Sequence, residues 1–296
     1  MNKPLLSILS ITYNHEKFIS QAIDSWLMQK TNFDIEIVIG EDCSTDNTLQ
    51  IIKEYQKRYP HLIKIITSDT NVGMQANFIR TLEACNGKYI ALCEGDDYWT
   101  DPLKLQKQVD FLENNEIYSI VGNKSKILKK DILTEEKYYV SNPVLISQWI
   151  GKLPFRTNTF VFRKEILDFS VIDLKKFISG DRIIMTLLLL QGPCFLIDEY
   201  MSVYRDHDTG ISKVTDGIFV KKNEIKLYIT LNNLTKGKYK KTLNKNIFLS
   251  YKYILEIQYK NKKIGSWLKY LILSLRYVKT VTDLKIFLKE YFLRLA

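Results

Sequence analysis

Residues 5–13 read Leu5-Leu6-Ser7-Ile8-Leu9-Ser10-Ile11-Thr12-Tyr13, a short apolar run of the kind that forms a buried parallel strand. Downstream of this run the chain alternates between two hydrophobic periods. Over Glu16–Gln29, the residues Phe18, Ala22, Ile23, Trp26 and Leu27 recur at helical spacing. Ile35–Gly40 is a second apolar run, and Thr45-Asp46-Asn47-Thr48 then supplies capping residues ahead of Leu49, Ile51, Ile52 and Tyr55. The pattern continues with a strand at Leu62–Thr67, a helix at Gly73–Cys85, a strand at Lys88–Cys93, a helix at Pro102–Asn114 and a strand at Tyr118–Leu128. Alternation of this kind, with short connections, predicts an α/β fold with a doubly wound, mostly parallel sheet. Ligands of such sheets sit beyond the carboxyl ends of the strands. That rule marks three places: Thr12-Tyr13-Asn14, Glu41-Asp42 and Glu94-Gly95-Asp96-Asp97.

The chain has 296 residues, 46% hydrophobic and 26% charged, with 12 Gly and 6 Pro, enough to bury a full core and too ordered in composition for a collagen-like or wholly disordered chain. No run of 18 uncharged apolar residues predicts a spanning helix, and Met1-Asn2-Lys3-Pro4 leads straight into the first strand without signal-peptide features. A cytoplasmic protein is expected. Its four cysteines, Cys43, Cys85, Cys93 and Cys194, lack CxxC spacing and read as reduced, buried hydrophobes. The net charge of +10 is unevenly spread: residues 213–296 carry 19 Lys+Arg against 5 Asp+Glu, whereas residues 1–212 are net −4. An acidic motif-bearing part argues against a nucleic-acid partner and suits a cation or a metal-bridged ligand.

Three carboxylates within Glu94-Gly95-Asp96-Asp97 repel one another at a strand end. A divalent cation such as Mg²⁺ or Mn²⁺, which takes one or two carboxylates plus phosphate oxygens, would relieve that repulsion. The competing reading is an acidic helix N-terminus, since Asp101-Pro102 comes next and acids favour that end of the dipole. Neither GxGxxG nor GxxxxGK[ST] occurs, which excludes the common dinucleotide and P-loop cradles.

The ordered set Leu9-Ser10-Ile11-Thr12-Tyr13-Asn14, Ile39-Gly40-Glu41-Asp42-Cys43-Ser44-Thr45-Asp46-Asn47-Thr48, Asn71-Val72-Gly73, Gly87-Lys88-Tyr89-Ile90-Ala91 and Glu94-Gly95-Asp96-Asp97 resembles the family 2 glycosyltransferases. Gly180-Asp181, Ile197-Asp198-Glu199 and Tyr204-Arg205-Asp206-His207-Asp208-Thr209-Gly210-Ile211-Ser212 extend the resemblance to about residue 212. It implies a GT-A fold and an inverting, metal-dependent transfer of sugar from a nucleoside diphosphate donor, UDP-linked, to a glycan or glycolipid hydroxyl, with Mn²⁺ or Mg²⁺ as cofactor. It implies a catalytic base at Asp181, metal contacts from Asp97 and His207, and a nucleotide-sugar site formed by Thr12, Tyr13, Asn14, Glu41, Asp42, Asn71, Gly73, Asn77 and Asp96. Two positions depart from the pattern: Glu41 stands for the usual Asp, and Cys43 for the usual Gly, which argues against a left-handed backbone there. On this reading residues 1–125 form the nucleotide-sugar half and 126–212 the acceptor half of one domain, with Trp99, Thr157, Asn158 and Arg205 on the acceptor side. A sugar nucleotidyltransferase is disfavoured because no Gly-rich phosphate loop comes after the first strand, and a non-catalytic binding module because Asp96, Asp97 and Asp181 are retained.

His15 and His61 read as solvated loop residues, Thr157-Asn158-Thr159 as a strand, and Arg163 as half of an ion pair. Residues 213–296 predict three or four amphipathic helices, and the basic, aromatic stretch 262–296 fits an anionic membrane surface, with a helical homodimer contact as the other use of the same faces.

Overall fold

The structure, a computed structural model, describes residues 3–208, 210 and 216–277. Most of the membrane-directed stretch, 278–296, and the motif residues Thr209, Ile211 and Ser212 lie outside them. In chain order the elements are β1 (Leu6–Thr12), α1 (Ile19–Leu27), β2 (Ile35–Glu41), α2 (Thr48–Arg58), β3 (Ile63–Ile66), α3 (Met74–Ala84), β4 (Tyr89–Leu92), β5 (Tyr98–Trp99), α4 (Lys104–Asn114), β6 (Ile120–Lys129), β7 (Ile132–Glu135), α5 (Ile146–Trp149), β8 (Val161–Arg163), α6 (Gly180–Gln191), β9 (Cys194–Arg205), α7 (Gly217–Leu234), α8 (Lys240–Lys260) and α9 (Ile264–Leu275). The chain divides into two compact units, residues 1–176 with 180–210, and 177–179 with 211–296.

The first unit is built on one sheet in the order β3-β2-β1-β4-β8-β6-β9-β5, with β7 on the side of β6. The β3-β2-β1-β4 half is parallel, as the βα alternation requires. Beyond β4 the direction changes: β8 is antiparallel to both β4 and β6, and β5 runs antiparallel to β9, while β6 and β9 are parallel. The expectation of strict βα winding therefore holds only to β4. The sheet is mixed, with flanking helices, and its parallel half is buried from both sides. Leu6, Ile8, Ile37 and Ile39 are fully buried, and α1 lays Ile19, Ala22, Ile23 and Trp26 against them, all at 0% exposure. Removing a buried aromatic of Trp26's size costs about 3–5 kcal/mol.

Two expectations fail outside the parallel half. Thr157–Thr159 is a 3₁₀ turn, not a strand. Arg163 makes no ion pair among the described residues; its guanidinium donates to the Tyr89 hydroxyl and to the carbonyls of Leu112 and Tyr118, tying β8 to α4. All four cysteines are free thiols, three of them buried.

The second unit contributes α7, α8 and α9. Asp216 caps α7 by accepting from the Phe219 N–H. Trp267, Tyr270 and Leu271 of α9 pack on Phe248 and Leu255 of α8. Among the described residues no helix is long and apolar enough to cross a membrane.

Candidate active site

The carboxyl ends of β1, β2 and β4 open into loops that are tied to one another. After β1, Asn14 accepts from the Thr45 N–H at 2.8 Å and its own N–H donates to Ser44 Oγ. The His15 N–H donates to Thr48 Oγ1 at 2.8 Å, the Glu16 N–H donates to Asp46 Oδ2, and the Glu16 carboxylate accepts from the Asn47 N–H across the same gap. Asn14 and Cys43 both adopt left-handed backbones, φ 56° and 58°. The expectation at Cys43 is thus corrected: the Gly-type conformation is kept without a glycine. The cause is Glu41, fully buried, whose carboxylate accepts from the N–H groups of Cys43 and Ser44 and from the Thr67 hydroxyl, bending the chain over itself. Asp42 is also buried. It accepts from the N–H groups of Val72 and Gly73 at 2.8 and 3.0 Å and lies 3.6 Å from Arg80. Asn71 accepts from the Gly73 N–H, and Asn77 reaches back to the Gly40 carbonyl. Glu41, Asp42, Asn71, Gly73 and Asn77 therefore form one hydrogen-bonded wall, while Tyr13, 43% exposed, stands out from it.

The acidic loop continues β4 alongside β1, the Gly95 N–H donating to the Ile11 carbonyl at 3.1 Å. A Cβ on Gly95 would stand 2.7 Å from Thr12 Oγ1, so only glycine allows this approach. Arg205, at the end of β9, clamps the loop from beneath. Its N–H donates to Asp97 Oδ1 at 2.8 Å, and its guanidinium donates to the Asp96 carbonyl and to Gln21 Oε1. Its guanidinium also lies over the Tyr98 ring, 4.6 Å from the centroid. Arg205 is accordingly a support of the acidic loop.

The three carboxylates differ in environment. Asp97 is 2% exposed, and burial, reinforced by the charges of Asp96 and Glu94, pushes its carboxyl well up. Asp96 reaches the surface. Its Oδ2 lies 3.1 Å from His207 Nε2 and 3.6 Å from His15 Nε2. Burial works to raise it, but the His207 hydrogen bond and the two imidazoles bring its carboxyl below the ordinary value. Glu94 is pushed up to about 7, chiefly by burial and then by the charges of Asp96 and Asp181, while a hydrogen bond with Thr157 opposes the shift. Its Oε2 has no hydrogen-bond partner among the described residues. Asp181 opens α6, accepting from the Arg182 N–H at 2.8 Å, and burial raises its carboxyl too.

Sequence order thus scatters, and the fold gathers, Asp96, His207, Glu94, Thr157 and Asp181. His15 joins them, against the expectation of a solvated loop residue; burial holds its imidazole below the usual value. Its position after β1 was the available signal. Of the expected metal contacts, His207 faces Asp96, while the Asp97 carboxylate accepts from the Arg205 N–H. Trp99 is 1% exposed and donates its indole N–H to the Asn158 carbonyl, and Asn158 is fully buried on Val203. Both side chains are buried in the core. Thr157, by contrast, lies at the acidic loop, hydrogen-bonded to Glu94. Thr12 is buried, and its Oγ1 has no partner among the described residues. Among those residues no group of three or more His, Cys, Asp or Glu has the geometry to enclose a metal ion by itself.

Residues 7–169 match the family model described as Glycosyl transferase family 2. An uncharacterized protein of Mycobacterium tuberculosis is 36% identical over 210 residues, 70% of this chain and 60% of its own length. The chain thus spans about 60% of that relative. A Bacillus subtilis protein, TuaG, named as a teichuronic acid biosynthesis glycosyltransferase, is 31% identical over 121 residues, 40% of this chain and 47% of its own. Among solved structures, S. aureus TarS residues 1–349 in complex with UDP-GlcNAc superposes with a TM-score of 0.72 at 19% identity, covering 93% of this chain and 81% of that one, a likeness of fold.

Proposed function

The chain belongs to glycosyltransferase family 2 and is a glycosyltransferase of GT-A fold, and on that premise we propose that it moves a sugar from a UDP-linked donor to a hydroxyl of a glycan or lipid-linked oligosaccharide during surface polysaccharide synthesis, with inversion at the anomeric carbon. The observation that carries the reading is the meeting of Asp96 and His207 at 3.1 Å at the strand ends, beside a Glu94 that senses the charge of Asp181. UDP-GlcNAc in the S. aureus neighbour supports the donor, and the name of the B. subtilis relative supports the polysaccharide product.

Residues 1–212 are read as the catalytic domain, with 1–125 binding the donor and 126–212 the acceptor. The wall of Glu41, Asp42, Asn71, Gly73 and Asn77, with Thr12, Tyr13 and Asn14, holds the nucleotide. Asp96 and His207 offer one oxygen and one imidazole donor, a set that fits Mn²⁺ and, less closely, Mg²⁺, ions that otherwise rely on substrate phosphates and water. Such an ion, when bound, offsets the charge that develops on the departing diphosphate. Arg205 fixes the backbone of Asp96 and the side chain of Asp97, so the acidic loop is held in place before the donor arrives. Asp181 takes the proton of the acceptor hydroxyl as that oxygen attacks, a role worth roughly 10²–10⁴-fold in rate. Burial raises the Asp181 carboxyl, which makes its carboxylate a stronger base than a solvated aspartate.

The activity is assigned to the cytoplasm, at the inner face of the cell membrane, with residues 262–296 as the contact to anionic lipid. A homodimer through the helices is the weaker use of these faces, because 19 basic against 5 acidic residues in 213–296 would repel a second copy. The test of the function is UDP release from a panel of UDP-sugars with and without Mn²⁺, with and without a lipid-linked acceptor. Acceptor-dependent, Mn²⁺-stimulated release supports it; release from no UDP-sugar overturns it.

A further inference from the structure

The second unit holds an open trough of about 420 Å³ between α7 and α9, floored by Tyr251 of α8, a volume within the range of small-ligand pockets, roughly 300–1,000 Å³. On α7 its wall is Lys222, Ile225, Lys226 and Ile229, the spacing of a single helical stripe. On α9 the wall is Lys269, Tyr270 and Leu273. Lysines from both helices thus line the trough together with isoleucine and leucine, and among the described residues no acidic side chain lines it. Ile229 stays 41% exposed.

We propose that this trough binds one anionic phospholipid, its phosphate between Lys222, Lys226 and Lys269 and the start of its acyl chain along Ile225, Ile229 and Leu273. Charge complementarity selects an anion. The apolar lining selects one that carries a hydrocarbon chain, since a free phosphate would leave Ile229 and Leu273 facing water. A second apolar stripe on α9, Ile264, Leu268, Ile272 and Leu275, is 47–70% exposed and would rest on the same bilayer. The proposal rests on the membrane contact assigned above, and is independent of the sugar-transfer chemistry.

The test is calorimetric titration of the full chain with dihexanoyl phosphatidylglycerol below its micelle concentration, beside vesicle sedimentation. Saturable binding of one lipid per chain is expected, with no binding of dihexanoyl phosphatidylcholine or inorganic phosphate. Neutralising the lysines in Lys222→Gln/Lys226→Gln/Lys269→Gln should weaken it by roughly 5-fold for each, on the order of 100-fold together. Ile229→Asp should weaken it as well, whereas Lys240→Gln/Lys241→Gln/Lys245→Gln, with the same change of charge on α8, should keep the affinity. Equal losses in the two triple variants would overturn the site in favour of bulk attraction. So would equal binding of inorganic phosphate, or no saturable lipid binding by the unaltered chain. Vesicle binding that persists without short-chain lipid binding removes the trough and spares the membrane contact; loss of both removes both.

Discussion

His207 Nε2 lies 3.1 Å from Asp96 Oδ2, across 111 residues of sequence. β9 carries the histidine back to the end of β4, and Arg205, two residues before it, bonds the loop on which the aspartate sits. His207→Ala should therefore lower Mn²⁺ affinity, measured by electron paramagnetic resonance in the presence of UDP, by at least the 10–100-fold that loss of an outer ligand contact costs. Asp97→Asn should act differently, through the stability of the loop. Unchanged Mn²⁺ affinity in His207→Ala would remove the histidine from the ligand set.

Asp181→Asn is expected to reduce transfer by roughly 10²–10⁴-fold while leaving UDP binding, followed by thermal shift, nearly unchanged. The base acts only when ionised. Because burial raises the Asp181 carboxyl, the unaltered enzyme should lose kcat/KM on acidification at a pH above the ordinary carboxylate range. Near-normal turnover in Asp181→Asn would discard the assignment.

Cys43 holds φ 58° under the pull of the Glu41 carboxylate. Cys43→Gly should be neutral or stabilising by up to about 1 kcal/mol, whereas Cys43→Val should cost about 1–2 kcal/mol, because a β-branched side chain resists the left-handed region. Denaturant melts of the two variants decide this; a destabilised glycine variant would contradict it.

Lys104 is fully buried, its ammonium nitrogen 2.7 Å from Gln108 Oε1 and 4.2 Å from the Trp99 ring centroid. Burial lowers its pKa from 10.5 to about 7. Above pH 7 the folded chain has released this proton while the unfolded chain keeps it, so stability should rise with pH between about 7 and 10.5 and be flat, for this group, below 7. Lys104→Met should abolish the slope and gain up to a few kcal/mol at pH 6. Parallel slopes in melting temperature for the two proteins would refute the assignment.

The parallel half of the sheet was legible because its strands are short runs rich in aliphatics and each helix repeats its apolar face. The antiparallel insertion was not: β8 spans three residues and β5 two, too short to carry a period. The acidic loop announced itself by charge repulsion at a strand end. Which aspartate faces outward did not, since that depends on Arg205, more than a hundred residues away. The burial of Trp99 and Asn158 was hidden for a related reason: it is set by β9 and the 3₁₀ turn, whose neighbours in space are remote in sequence.

The bonds that join Asn14, His15 and Glu16 to Ser44, Thr45, Asp46 and Thr48 have a kinetic corollary. On the proposed reading of Asn14 as a nucleotide contact, two loops that already restrain each other would lose little further freedom on binding, so association should need no slow reorganisation on that side. Cutting the staple with Asn14→Ala would shift part of the ordering entropy onto capture, and association should slow relative to the unaltered chain.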